Sequence, residues 1–170
     1  LLWNDTRSAA AASDLTAELG ANDWAMAVGS VPVAAFTVSK LRWLARHEPE
    51  SLARTAAVCL PHDWLTWKLR GMGLESLTTD RGDASGTGYW SPITGEYCWD
   101  LLAIVDSHRD WSQVVPRVAA PREVVGEWRG IPVACGTGDN MGAALGLGLA
   151  AGTAVVSVGT SGTAFAVADH

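Results

Sequence analysis

The stretch that most constrains the fold runs from Ile131 to Gly148, IPVACGTGDNMGAALGLG. It reads as a short apolar strand, a Gly-Thr-Gly turn, and an Ala/Gly-rich helix opened by Asp139 and Asn140. Such a unit sets one carboxylate at the mouth of a strand–turn–helix, where a substrate can reach it. A second apolar strand then leads into Val158-Gly159-Thr160-Ser161-Gly162. A carboxylate and a Gly/Thr/Ser loop, close in sequence, read as the two halves of a phosphoryl-transfer site.

The 170 residues are enough for a domain with a real core, and 48% hydrophobic against 18% charged is a globular composition. A formal net charge of -6 argues against a nucleic-acid or membrane-surface binder. No apolar run is long enough to span a bilayer, and Leu1-Leu2-Trp3 meets polar residues at once, unlike a signal peptide. The chain opens on Leu1, not Met, and stops just after the apolar run Ala164 to Ala168. It reads as a piece of a longer protein. Cys59, Cys98 and Cys135 are odd in number and widely spaced, which suggests neither a zinc site nor a disulfide framework and fits a reducing cytoplasm.

Helices are expected over Ser8–Leu19 with Gly20 as the stop, and over Phe36–His47 with Thr37 or Ser39 as the cap and Pro49 as the stop. A short helix should follow over Glu50–Thr55, then a brief strand over Ala56–Leu60. Pro61 should open a further helix to Gly71. Thr78–Tyr89, TTDRGDASGTGY, is polar and Gly-rich and reads as a loop. Turns are expected at Trp90–Gly95 and Glu127–Gly130, a helix at Trp99–Val105, and an extended segment at Val114–Pro121. Thr153–Val158 and Thr163–Val167 alternate as strands. Mixed helix and strand makes the class α/β.

Six motifs, in order over nearly the whole chain, point to one family. They are WNDTR (Trp3 to Arg7), FTVSKLRWLARHEPE (Phe36 to Glu50), LPHDWLTWKLRG (Leu60 to Gly71), TTDRGDASGT (Thr78 to Thr87), GTGDNMGAALG (Gly136 to Gly146) and VGTSGT (Val158 to Thr163). The series resembles the FGGY carbohydrate kinases, and within them the xylulokinase branch. The resemblance implies a ribonuclease-H-like fold of the actin/hexokinase/Hsp70 superfamily, in a protein about three times this length. Residues 1–150 would be the latter part of the N-terminal sugar-binding domain. Residues 151–170 would be the opening strands of the C-terminal nucleotide-binding domain. The family's first phosphate loop and its adenosine site would lie outside the chain.

The implied reaction moves the γ-phosphoryl group of ATP, with Mg²⁺ on the phosphates, to D-xylulose, giving D-xylulose 5-phosphate. Asp139 aligns with the family's catalytic base. A carboxylate suffices because the transition state is loose and positioning outweighs base strength. Read from its position alone, Asp139 could equally be a helix N-cap. Asn140 would hydrogen-bond a sugar hydroxyl. Gly159 and Thr160 match the second phosphate loop, although GTSG by itself is also an ordinary hairpin turn. Trp3 and Arg7 resemble a wall of the sugar site. The other readings are a core aromatic for Trp3 and a local ion pair of Asp5 with Arg7 at a helix start.

Gly136 and Gly138 should let the backbone turn before Asp139, and Gly142 and Gly146 should allow close packing against the sheet. Lys40 reads as a helix-surface or interdomain contact, and Asp80, Asp83 and Ser85 as turn-forming residues, not metal ligands. His47, His62, His108 and His170 have no ligand spacing and read as surface or local hydrogen-bonding groups. Trp43, Trp64 and Trp67 read as packing residues.

Where glycerol kinases carry a Tyr that touches glycerol, this chain has Ala35, which leaves room for a longer sugar. The family's sugar-contacting His would lie before Leu1. Other readings are a kinase for ribulose, gluconate, fuculose or glycerol, or a non-catalytic sugar-sensing module of the same fold. The expected partner is a small sugar, with no nucleic acid and no membrane. The resemblance leaves room for a homodimer of the full-length protein, and the fragment alone is expected to be inactive.

Overall fold

The computed structural model describes residues 1–160 and 162–168. The chain divides into two compact units, Leu1–Gly136 and Thr137–His170.

In the first unit a 3₁₀ turn at Thr6–Ser8 leads into α1 (Ala9–Leu19), α2 (Ala21–Val28) and α3 (Thr37–His47). The Ala-rich run favours α1, and Gly20, at φ 98, ends it as expected. Apolar residues of these helices and of α7 (Trp99–Val105) form the main core, centred on Leu15, Trp24, Val38, Leu41 and Leu102. Burying each such side chain contributes about 1.5–3 kcal/mol. Trp24 keeps its indole N–H satisfied there by donating to the Leu15 carbonyl oxygen at 2.9 Å. The cap of α3 is Phe36, with no side-chain bond, so neither Thr37 nor Ser39 does that work.

Helix α4 (Pro49–Ala53) follows directly, and Pro61 opens α5 (Pro61–Leu69) as expected. The strand expected over 56–60 is not formed; Val58 N–H donates to the Val114 carbonyl. Trp64, read as a packing residue, is 46% exposed on α5.

The polar segment 78–89 is the largest departure from expectation. It holds β1 (Thr78–Thr79), which pairs in parallel with β4 (Arg117–Val118), and helix α6 (Arg81–Ser85). Thr78, Thr79, Asp80 and Thr87 are buried. Hydroxyls and carboxylates that bond local backbone groups can be buried where free ones cannot. The turn expected at 90–95 narrows to 92–95, the loop of a hairpin between β2 (Trp90–Ser91) and β3 (Glu96–Tyr97).

Next, β5 (Val124–Trp128) and β6 (Ile131–Ala134) form an antiparallel hairpin with Trp128 opposite Ile131. Arg129 and Gly130, at φ 52 and 79, make its two-residue turn. Two positive φ values match the right-handed twist of the strands. Residues 124–128 are therefore strand, and the turn is shorter than the expected 127–130.

The second unit holds α8 (Asp139–Gly146) and an antiparallel hairpin of β7 (Ala154–Val158) with β8 (Gly162–Ala166). The expected strands are present. Within that unit a methyl at Gly142 would meet Thr137 at 3.6 Å and one at Gly146 nothing within 4 Å, so neither glycine serves close packing there. Among the described residues no helix is long and apolar enough to cross a membrane.

Candidate active site

Asp139 is the first residue inside α8, and Gly138, with extended backbone, is the cap. The cap reading of Asp139 is therefore replaced by a first-turn position, where negative charge still meets the helix dipole favourably. Its Oδ1 accepts the Asn140 backbone N–H at 2.8 Å. Both residues are exposed, so the carboxylate faces solvent on a helix start. Of the two turn glycines, only Gly136, at φ +86, uses a conformation reserved for glycine; Gly138 does not. Gly159 and Thr160 lie exposed in the bend between β7 and β8. Ser161 and His170 lie outside the described residues.

Trp3 and Arg7 belong to the first unit. Trp3 is 78% exposed, so it is not a core aromatic. The local ion pair is present: Asp5 Oδ2 lies 2.7 Å from an Arg7 guanidinium nitrogen, and Asp5 Oδ1 accepts the Arg7 backbone N–H at 3.0 Å. The same guanidinium sits 5.1 Å from the centre of the Trp43 ring.

Lys40 is not a surface residue. It is 8% exposed, and its ammonium donates to the Ala34 carbonyl at 3.0 Å and the Asp5 carbonyl at 3.3 Å. Burial pushes its pKa down, and the nearby Asp5 carboxylate opposes this.

The group that sequence reasoning missed is His62. Its Nε2 lies 3.2 Å from Asp63 Oδ1 and 3.1 Å from Asp80 Oδ2, and its Nδ1 lies 2.6 Å from Asp83 Oδ2. Asp63 and Asp80 are buried. Each has its other oxygen fixed by backbone: Asp63 Oδ2 accepts the Leu60 N–H, and Asp80 Oδ1 accepts those of Gly82 and Asp83. Asp80 and Asp83 hold the imidazole pKa up at about 10. Burial raises the Asp63 carboxyl to about 6, while the bond from His62 helps keep that of Asp80 low against the opposing effect of burial. One ligand atom from each of His62, Asp80 and Asp83 lies within 4.8 Å of the others, a spacing a cation could use. Both ring nitrogens face carboxylates, however. That geometry favours the charged form of the ring, in which both nitrogens are donors.

Comparison with known proteins agrees with these motifs. Residues 1–146 match the N-terminal domain of the FGGY family of carbohydrate kinases. The xylulose kinase of Streptomyces rubiginosus is 52% identical over 180 residues, covering all of this chain and 36% of that protein. That of Escherichia coli is 32% identical, covering 99% and 35%. The chain thus spans about a third of the length of such curated relatives. Among solved structures, xylulose kinase from Bifidobacterium adolescentis superposes with a TM-score of 0.87 at 38% identity, covering 96% of this chain and 41% of that one. Plasmodium falciparum glycerol kinase shares the fold, with a TM-score of 0.83 at 21% identity over 94% of this chain and 33% of its own. The fold is accordingly part of the actin/hexokinase-like architecture of sugar kinases. With its motifs in order and most of its length matched, the chain belongs to the FGGY family of carbohydrate kinases.

Proposed function

We propose that the full-length protein containing this chain is an ATP-dependent kinase that phosphorylates D-xylulose to D-xylulose 5-phosphate. The observation that carries this reading is Asp139, a solvent-facing carboxylate at the first position of α8, in a chain aligned over its whole length with xylulose kinases. In this reading Asp139 accepts the proton of the attacking sugar hydroxyl, and Asn140 orients a neighbouring hydroxyl. Trp3 and Arg7 wall the sugar, an exposed ring suiting the apolar face of a carbohydrate. Gly159 and Thr160, in the exposed bend after β7, would meet the ATP phosphates through backbone N–H groups and a hydroxyl. Mg²⁺ would offset charge on those phosphates. Residues 1–150 would serve the sugar domain and 151–170 the nucleotide domain.

Coupled ADP-release assays on the full-length protein, with a panel of ketoses and polyols, test the proposal. D-xylulose should give the highest kcat/KM. A preference for glycerol would overturn the xylulose assignment, and the absence of any sugar-stimulated turnover would overturn the kinase. Residues 1–170 alone should show no turnover, because the relatives that carry the activity are about three times as long.

A further inference from the structure

The groups around the His62 ring all belong to the first unit. Helix α5 supplies His62 and Asp63, and the β1–α6 segment supplies Asp80 and Asp83. The ligand atoms of His62, Asp80 and Asp83 gather in one small volume. Asp63 adds an independent observation. It is 1% exposed, its Oδ1 lies 3.2 Å from His62 Nε2, and that oxygen makes no well-aligned hydrogen bond. Asp80 Oδ2, 3.1 Å from the same nitrogen, and Nε2 itself are also buried without a well-aligned bond. The Thr79 hydroxyl beside Asp63 makes none either.

Each of the two buried carboxylates is anchored through its other oxygen. Asp63 Oδ2 accepts the Leu60 N–H at 2.8 Å, and Asp80 Oδ1 accepts those of Gly82 and Asp83 at 2.7 and 3.1 Å. The backbone thus leaves one oxygen of each for Nε2. A single Nε2–H points along one line, so two acceptors are both poorly served by it. A metal ion accepts several donors at once. Around a tetrahedral Zn²⁺ with bonds of about 2.0 Å, neighbouring donors stand about 3.3 Å apart. The 3.2 and 3.1 Å separations are close to that edge.

The other side of the ring fits as well. Nδ1 lies 2.6 Å from Asp83 Oδ2. A metal-bound imidazole characteristically donates its second N–H to a carboxylate, which fixes the tautomer and presents the other nitrogen to the ion. Charge points the same way. An imidazolium sets one positive charge against three carboxylates, whereas a divalent ion on a neutral ring supplies two. Buried carboxylates need such compensation. The His62 side chain is 31% exposed, which gives an ion a path from solvent.

We propose that His62 Nε2, Asp63 Oδ1 and Asp80 Oδ2 form a site for one divalent transition-metal ion, best matched by Zn²⁺, with Asp83 as the carboxylate behind the imidazole. The ion replaces the Nε2 proton, which leaves to solvent, and a water completes the tetrahedron. It cross-links α5 to the β1–α6 segment within the first unit. An imidazole with two carboxylates favours such an ion over Mg²⁺, which takes oxygen donors. The proposal does not depend on the kinase reading, and its ion is distinct from the Mg²⁺ expected on ATP phosphates.

The test uses the full-length protein, stripped of metal by a chelator, with Zn²⁺ alone as the probe. Histidine nitrogen chemical shifts are followed as Zn²⁺ is added. The Nε2 signal of His62 should move to the metal-bound range while Nδ1 stays protonated. Excess Mg²⁺ should leave the ring unchanged. After dialysis the unaltered protein should retain one equivalent of Zn²⁺ more than His62→Gln, and Asp80→Asn should lose the same equivalent. Asp83→Asn should weaken Zn²⁺ binding by about 10- to 100-fold. Zn²⁺ should raise the melting temperature of the unaltered protein and not that of His62→Gln. An unshifted His62 Nε2 in excess Zn²⁺ overturns the proposal, and that measurement needs no variant. Equal Zn²⁺ retention by the unaltered protein, His62→Gln and Asp80→Asn overturns it, because the ion is then held elsewhere. The same Nε2 shift with Mg²⁺ overturns the choice of ion. Turnover is not a readout, so failure of the kinase reading and failure of this site are seen separately.

Discussion

The Lys40 ammonium donates to the Asp5 carbonyl oxygen at 3.3 Å and so ties the first turn of α3 to the segment that carries Trp3 and Arg7. The Ala34 carbonyl is shared between the same ammonium and the Ser8 hydroxyl, at 3.0 and 2.8 Å. A buried cation bonded to carbonyls holds a loop without needing a carboxylate partner. Replacing it with Met keeps the apolar stem and removes the donor.

Lys40→Met should therefore destabilise the chain by on the order of 2 kcal/mol, the worth of hydrogen bonds from a charged donor. Urea unfolding of residues 1–170 reads this directly. Unchanged stability would show that the tether carries no weight. In the full-length protein the same variant should raise the sugar KM more than it lowers kcat, because it loosens the Trp3–Arg7 segment and not the base.

The His62 cluster gives the folded chain a distinct pH response. The imidazole is raised from the ordinary 6.5 to about 10, so its stabilising contribution is complete below about 6.5 and fades as pH rises toward 10. Asp63 is raised from 3.8 to about 6, so its ionisation opposes folding, and stability falls as pH climbs through that lower window. Stability measured by denaturant from pH 7 to 10 should decline in the unaltered chain. His62→Gln should start lower and show a shallower decline. Parallel curves for the two would mean that His62 is not the titrating group.

Asp139→Asn should leave stability nearly unchanged, because the side chain is exposed and Gly138 caps the helix. In the full-length protein it should cost about 100- to 10,000-fold in kcat, the usual worth of a general base, while sugar binding measured by calorimetry stays within a fewfold. Turnover equal to that of the unaltered protein would remove Asp139 from the chemistry.

Trp3→Ala tests the proposed wall. With the ring 78% exposed, its loss removes little packing, so the melting temperature should hold. Sugar KM should rise by about tenfold, the equivalent of 1.4 kcal/mol. An unchanged KM would return Trp3 to the status of a surface aromatic.

Most of this chain's local order follows from its sequence. Gly20, Pro49 and Pro61 act on the backbone within a residue or two of themselves, so the limits of α1, α4 and α5 follow from φ restrictions and the missing proline N–H. The same holds for the strand–turn–helix around Asp139, where a glycine turn between an apolar run and an Ala-rich run has few alternatives. What the sequence could not show is which polar residues are buried. TTDRGDASGTGY has the composition of a surface loop. Its buried part includes Asp80 and Thr87, whose side chains bond their own backbone, and Asp80 also faces His62, about twenty residues away in sequence. Lys40 looked like a helix-surface cation for the same reason: its partners are carbonyl oxygens, which every residue has and no motif displays. Periodicity and turn chemistry are local and legible in the chain. Compensation of a buried charge is a property of three dimensions, and only the folded arrangement decided it.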